Sequence, residues 1–308
     1  MKPNILVLYY SQSGQLREIL DNMTRDIVQD ANIEFVQIEP VIPFPFPWNA
    51  YAFFDAMPET VERIPVEIKP LPEHIRNTHY DLVVLGYQPW FLNPSLPITG
   101  FLKSTQATIL NGKNVLTVIG SRNMWLNAQE EVKKDLLSLG AKLVGNIVFT
   151  DSYPNVISTL TVIRWAFTGK KEASGILPAA GVQQKDIEGA SRFGKTILQY
   201  VREKHDAALQ DSLLTLGAVN LKPGLILLEQ RGIKNFRKFA RFIREKGGPG
   251  DPARKPRVLL FKRLLITAIF ILSPITSMSA YLQLQLKKRR LVKDLDYFRG
   301  IGFENSRI

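Results

Sequence analysis

The chain has no cysteine and only three histidines in 308 residues, His74, His79 and His205. Disulfides, thiolate metal sites and cysteine nucleophiles are therefore excluded. The histidines make no ligand set at the usual spacing, so no metal is expected. No export leader is expected either. Met1–Asn4 runs into Ile5–Tyr10, six apolar residues with no small-residue cleavage site, too short for an export core. The main domain is accordingly expected in the cytoplasm. No internal repeat is present. Acidic residues are scarce at one end only. Residues 222–308 hold 20 Lys and Arg against 6 Asp and Glu, a net of +14, whereas the rest holds 20 against 22. The net charge of +12 thus belongs to the C-terminal third, which points that part alone at an anionic surface.

Against these absences stands a regular alternation of short apolar runs and amphipathic stretches through residue 203. Ile5–Tyr10, Ile33–Ile38, Leu82–Leu85, Val115–Ile119 and Leu143–Phe149 read as five buried strands. Leu16–Val28, Ala128–Leu139 and Ile187–Val201 read as helices, the first with Leu16, Ile19, Leu20, Met23 and Ile27 on one face. Continuously apolar strands alternating with helices predict an α/β fold, a doubly wound five-stranded parallel sheet covered on both faces. Two stretches exceed this minimal pattern. Residues 40–75 carry Pro43-Phe44-Pro45-Phe46-Pro47-Trp48, where proline at alternate positions forbids a helix or a central strand. That stretch is either a rigid loop packed on the core or the wall of a ligand pocket. Residues 151–184 form the second insertion, with a short helix expected around Val162–Phe167.

The chemistry gathers at the ends of strands. Ser11-Gln12-Ser13-Gly14-Gln15 closes the first strand and opens the first helix. Two hydroxyls, a glycine and the N-terminal dipole of a helix make a concave anion site. After the third strand come Gln88, Pro89, Trp90 and Phe91, and after the fourth Ser121, Arg122 and Asn123. Asp151 and Tyr153 follow the fifth strand at the same edge of the sheet. The residues alone identify no catalytic acid or base.

Here the sequence resembles flavodoxin. That family's phosphate loop reads Ser/Thr-x-Thr-Gly-x-Thr; Ser11, Ser13 and Gly14 match it, and Leu16 replaces the last hydroxyl residue. The resemblance covers about residues 4–203 and implies a flavodoxin-like FMN-binding domain over 1–203. It implies that Trp90, or next Phe91, flanks the flavin ring and that Ser121–Asn123 meet its edge. Arg122 is then either a partner for the anionic reduced flavin or a solvated loop charge. ILVLYYSQSGQL, the PFPFPW run and FFDAMPE further resemble the bacterial flavodoxin-like dialkylresorcinol condensing enzymes of dialkylresorcinol and flexirubin-type biosynthesis. This closer resemblance implies an aromatase that converts a dialkylcyclohexanedione, delivered by a ketosynthase partner, into the resorcinol. Two other readings stay open: a general NAD(P)H-dependent quinone reductase, and a non-catalytic membrane subunit on a degenerate flavodoxin fold.

Residues 204–308 read as a basic, mostly helical extension, with Phe236, Phe239, Phe242 and Ile243 on one helical face. The flavodoxin pattern is complete before it, so a chain cut after Gly247 is expected to keep its fold. Leu264–Leu286 runs 23 residues without a charge, with basic clusters on both flanks. As a helix it would be about 35 Å long at 1.5 Å per residue, enough to span a bilayer core. Ser273-Pro274 in the middle and the equal flanking charge favour a re-entrant or interfacial segment over a simple span, with a buried helix as the third possibility. The partner expected for this part is a membrane surface. Nucleic acid is not expected, because the aromatics share one face rather than interleaving with the basic residues.

Overall fold

The protein's structure, a computed structural model, describes residues 2–203, 209–272 and 288–305. Five strands, β1 (Asn4–Tyr9), β2 (Asn32–Gln37), β3 (Leu82–Tyr87), β4 (Asn114–Ser121) and β5 (Lys142–Thr150), form one parallel sheet in the order β2-β1-β3-β4-β5. This is the flavodoxin-like doubly wound order, in which the chain reverses direction across the sheet between β1 and β3 and leaves a crevice at the carboxyl ends. The inner strands are apolar on both faces because helices cover both; Val7, Leu8, Leu85 and Val118 are fully buried. Strand β2 lies at the edge and is only partly covered.

Helix α1 (Gln15–Thr24) buries the face read from the sequence, Leu16, Ile19, Leu20 and Met23, and a 3-10 turn over Arg25–Ile27 completes it. Helix α2 (Leu126–Ser138) follows β4. The helix expected at 187–201 is three pieces, Gln184–Glu188, a 3-10 segment Gly189–Phe193, and α4 (Gly194–Glu203). Gly194 sits so close to α1 that an added Cβ would lie 2.7 Å from the Met23 carbonyl oxygen. A side chain there would push the two helices apart.

Both insertions lie over the carboxyl edge of the sheet. In the first, helices Ala50–Asp55 and Met57–Val61 follow the proline-aromatic run, and the Asn49 side chain accepts from the Tyr51 N–H at 2.8 Å to cap the former. In the second, helix α3 spans Asn155–Thr168, twice the length expected, and ends on Gly169 in the left-handed region. Pro154 is its N-cap residue, outside the helix, where a missing N–H costs no helical bond.

The basic extension is not set apart in space. Helix α5 (Leu209–Thr215) lies on β5, where Gly145 leaves room for Leu209 and Leu213. The Asn146 N–H donates to Gln210 Oε1 at 2.7 Å, and the Val148 N–H donates to the Ala218 carbonyl at 2.8 Å. Helix α6 (Pro223–Arg244) continues across Met57–Val61 and α2. Its Phe236 and Phe239, with Ala240 and Ile243, pack against Phe54, Met57, Val61, Val258 and Phe261. The phenylalanine face is thus packed against core. Helix α7 (Lys255–Thr267) follows, continued as a π-helical turn through Leu272. Of the uncharged run, residues 273–286 lie outside the described residues. Among the described residues no helix is long and apolar enough to cross a membrane.

Candidate functional site

Strands β1, β3 and β4 are neighbours, so their carboxyl ends bring the three loops singled out in the sequence to one edge of the sheet. The first loop, Ser11–Gly14, runs into α1. Gly14 is the N-cap residue at φ +84°, ψ −22°, and an added Cβ would meet nothing within 4 Å. The backbone N–H groups of Gln12 to Leu16 find no acceptor among the described residues, while the Glu18 N–H already begins the helix on the Gly14 carbonyl at 3.1 Å. Unpaired N–H groups at the start of a helix, beside the Ser11 and Ser13 hydroxyls, are what a phosphate dianion requires. Ser11 Oγ also lies 3.4 Å from the Arg17 N–H, which steadies the turn. Two side chains of this loop are turned to other tasks. Gln12 Nε2 donates to the Pro45 carbonyl at 3.0 Å. Gln15 makes a two-way bond with Val182: its Nε2 donates to the carbonyl at 3.2 Å and its Oε1 accepts the N–H at 3.0 Å. The side chain of Gln15 is thus committed to Val182, which leaves its backbone N–H to the loop.

The second loop is a tight hairpin, with Pro89–Trp90 paired to Asn93–Pro94. Its two turn residues are non-glycine and left-handed, Phe91 at φ +45° and Leu92 at φ +66°. Such turns favour Asn-Gly, so packing must hold this one in place. Phe91 packs on Phe53 at 4.8 Å and Phe236 at 6.3 Å, between the first insertion and α6. The Leu92 carbonyl accepts from Asn127 Nδ2 at 2.8 Å, and its Cδ1 would stand 3.0 Å from a Cβ on Gly232 of α6. The structure therefore places Trp90, and not Phe91, beside the first loop. Trp90 meets Tyr10 edge-on at 5.9 Å, Phe44 at 5.1 Å and Trp48 at 5.4 Å. Gln88 contributes its carbonyl to the Ser95 N–H at 3.1 Å.

In the third loop Ser121 Oγ donates to the Met124 carbonyl at 3.1 Å. Arg122 is not a solvated loop charge. Its Nη1 donates to Asn155 Oδ1 at 2.8 Å and Thr159 Oγ1 at 2.9 Å, both on α3. Burial pulls its pKa down to about 10, opposed by the charge of Asp151, so it remains a cation at neutral pH. Asn123 Nδ2 donates to Asn155 Oδ1 at 2.8 Å, and its own Oδ1 is buried without a partner among the described residues.

The insertions roof the three loops. The Trp48 N–H donates to the Ala166 carbonyl of α3 at 2.7 Å, and Phe46 meets Trp165 edge-on at 5.9 Å. The proline-aromatic run is thus a rigid loop packed against α3. Sequence reasoning missed a further group. Glu229, 1% exposed on α6, accepts the Asn127 N–H at 2.9 Å and caps α2 directly behind the third loop. An acid set directly after the apolar stretch Leu225–Leu228 was the available signal.

Comparison with known proteins adds the following. No family model matches the chain, and no curated protein matches it. Solved structures do. A Bacteroides eggerthii protein assigned as a flavoprotein is 21% identical, with 52% of this chain and 96% of that one covered and a TM-score of 0.39. Flavodoxin 2 from Bacillus cereus is 18% identical, with 65% and 99% covered and a TM-score of 0.34. A flavone reductase is 12% identical, with 66% and 65% covered and a TM-score of 0.34. The fold class is flavodoxin-like. Strand order and the position of the anion loop at the β1 end of the crevice carry that conclusion from this chain's own residues.

Proposed function

We propose that this chain is an FMN-dependent oxidoreductase that aromatises a dialkylcyclohexanedione to a dialkylresorcinol. The observation that supports it best is the row of acceptor-free N–H groups from Gln12 to Leu16, set under an aromatic roof. The loop suits a phosphate, and the roof suits a ligand that is mostly apolar. Ser11, Ser13 and the loop backbone would hold the phosphate, Trp90 would flank the ring, and Ser121–Asn123 would meet its edge. When bound, the flavin accepts a hydride, the step that removing two electrons from a carbon ring needs. A cyclic 1,3-dione carries an acidic proton of its own, so no strong base is required of the chain. Arg122, held cationic between Asn155, Thr159 and Asp151, favours negative charge at the ring edge. A ketosynthase-type enzyme would supply the dione. The exposed apolar residues of α7, flanked by basic ones, would keep the enzyme at the membrane surface where a dialkyl substrate resides.

The test is spectroscopic. Purified protein should show flavin absorbance. Anaerobic addition of a dialkylcyclohexane-1,3-dione should bleach it, with a product two hydrogens lighter. Bleaching by NAD(P)H with quinone turnover, and none by the dione, would favour a quinone reductase instead. A chain without flavin after reconstitution would remove both readings.

A further inference from the structure

Behind the third loop lies a cavity of about 60 Å³, lined by Asn123, Asp151, Asn220, Lys222 and Glu229 among others. It is large enough for about two waters and too small for a ring. Two of its groups call for hydrogen-bond donors that the protein does not provide. Asp151 is 1% exposed; its Oδ1 accepts the Tyr153 N–H at 2.9 Å, and its Oδ2 has no partner among the described residues. Asn123 Oδ1 is likewise buried and unpaired. Such groups in a polar cavity are satisfied by water, which donates to both. The third wall is Glu229. Burial raises its pKa to about 7, and the N–H groups of Asn127, Leu126 and Trp125 moderate the rise. Asp151 faces Arg122; Lys222 lines the cavity; Glu229 and Glu130 both act on the Tyr87 hydroxyl, and Glu130 is itself paired with Lys133.

We infer that Asp151, the cavity water and Glu229 form a proton relay that joins the edge of the flavin site to a carboxyl buried behind the third loop. Asp151 leaves β5 beside Ser121 and Arg122, whose carbonyls accept its N–H at 3.3 and 3.0 Å, so one end of the relay abuts the third loop. Glu229 is the other end. Each transfer breaks one O–H bond and forms another. The electron pair stays on the oxygen that loses the proton, so the relay consumes no oxidant or reductant. A carboxyl poised near neutral pH can both take up and release a proton, which suits a terminus that must reset. The inference rests on the proposed flavin site, but not on the diketone.

Two measurements test it on the full-length chain. In the first, protein with bound FMN is photoreduced by an external donor, and proton uptake from solvent is followed with a pH dye. Glu229→Gln should slow uptake at least about tenfold without changing flavin affinity, and Asp151→Asn should slow it by a similar factor. Lys222→Gln, which removes a lining charge outside the relay, should not. Equal uptake rates in wild type and either relay variant would overturn the relay. In the second, infrared spectra are recorded across pH on the chain without flavin, which covers the case of a variant that loses its cofactor. A protonated-carboxyl band titrating near neutral pH should be present in wild type and absent in Glu229→Gln. Absence of that band from wild type would also overturn the relay. A chain whose proton uptake depends on both carboxyls, yet which does not oxidise the dione, would keep the relay and lose the proposed substrate.

Discussion

Gly14 holds the left-handed conformation at φ +84° with open space where a side chain would go. A β-branched residue there is strained by its backbone and also projects into the volume a phosphate must enter. Gly14→Val should therefore fold but lose FMN on gel filtration, and retention at wild-type affinity would displace the phosphate loop. Trp90 makes a second, graded prediction. Trp90→Ala should weaken flavin binding by about 0.5–1.5 kcal/mol beyond the lost area and release fluorescence quenching, while phosphate binding survives. Glu229 gives a third, with a defined sign. Its folded pKa of about 7 lies above the ordinary 4.5, so the folded chain holds a proton that the unfolded chain has lost. Stability contributed at this site is therefore full below about pH 4.5 and falls as pH rises to 7. At about 1.4 kcal/mol per pH unit, the fall is roughly 3 kcal/mol. Denaturant melts should show Glu229→Gln gaining on wild type by about that amount between pH 5 and 8. A difference that does not change with pH would mean the carboxyl is ionised throughout.

At the scale of elements, the decisive joint is between the first insertion and the start of α7. Arg254 is 0% exposed; its Nε donates to Asp55 Oδ1 at 2.7 Å and its Nη1 to Glu59 Oε1 at 2.8 Å, with a further bond to the Asp55 carbonyl. The carboxylates in turn hold the guanidinium firmly cationic against its burial. Removing one side of a buried ion cluster strands the other, at a cost of about 3–5 kcal/mol. Arg254→Met should lose that much in a denaturant melt, and adding Asp55→Leu and Glu59→Leu should recover most of it. The same cluster changes what a truncation does. Cutting after Gly247 appeared harmless from the sequence pattern, yet it removes Arg254 and leaves Asp55 and Glu59 buried without it. Such a fragment should melt well below one cut after Thr267, as circular dichroism would show.

At the scale of the whole molecule, α7 is where basic charge and exposed apolar side chains lie side by side. Leu260, Leu264 and Ile266 of α7 are 44%, 45% and 37% exposed, next to Lys262 and Arg263. Basic residues near an anionic headgroup layer are worth about 1 kcal/mol each, and that attraction is screened by salt. Full-length protein should co-sediment with vesicles containing anionic lipid at low salt, bind neutral vesicles weakly, and be released as salt rises. Full-length chain remaining in the supernatant with anionic vesicles at low salt would end the membrane reading.

The parts legible in the sequence were those with a local physical cause. Continuous apolar runs such as Ile5–Tyr10 and Leu82–Leu85 have one use in a chain that also supplies amphipathic helices, a parallel sheet covered on both faces. Ser11-Gln12-Ser13-Gly14 opens a helix directly after such a strand, so its N–H groups are unpaired wherever the rest of the chain goes. What the sequence left undecided depends on partners far along the chain. Phe91 and Trp90 are adjacent and equally aromatic, but only packing on Phe53 and Phe236 turns Phe91 away and leaves Trp90 beside Tyr10. Arg122 read equally well as a solvated charge until Asn155 and Thr159 of α3 closed on it. Glu229 stands 102 residues from the Asn127 N–H that it accepts, and no local pattern encodes that distance. The backbone periodicity fixed the sheet and the anion loop; the pairing of buried polar groups across long separations, which only the folded chain makes possible, decided the rest of the site.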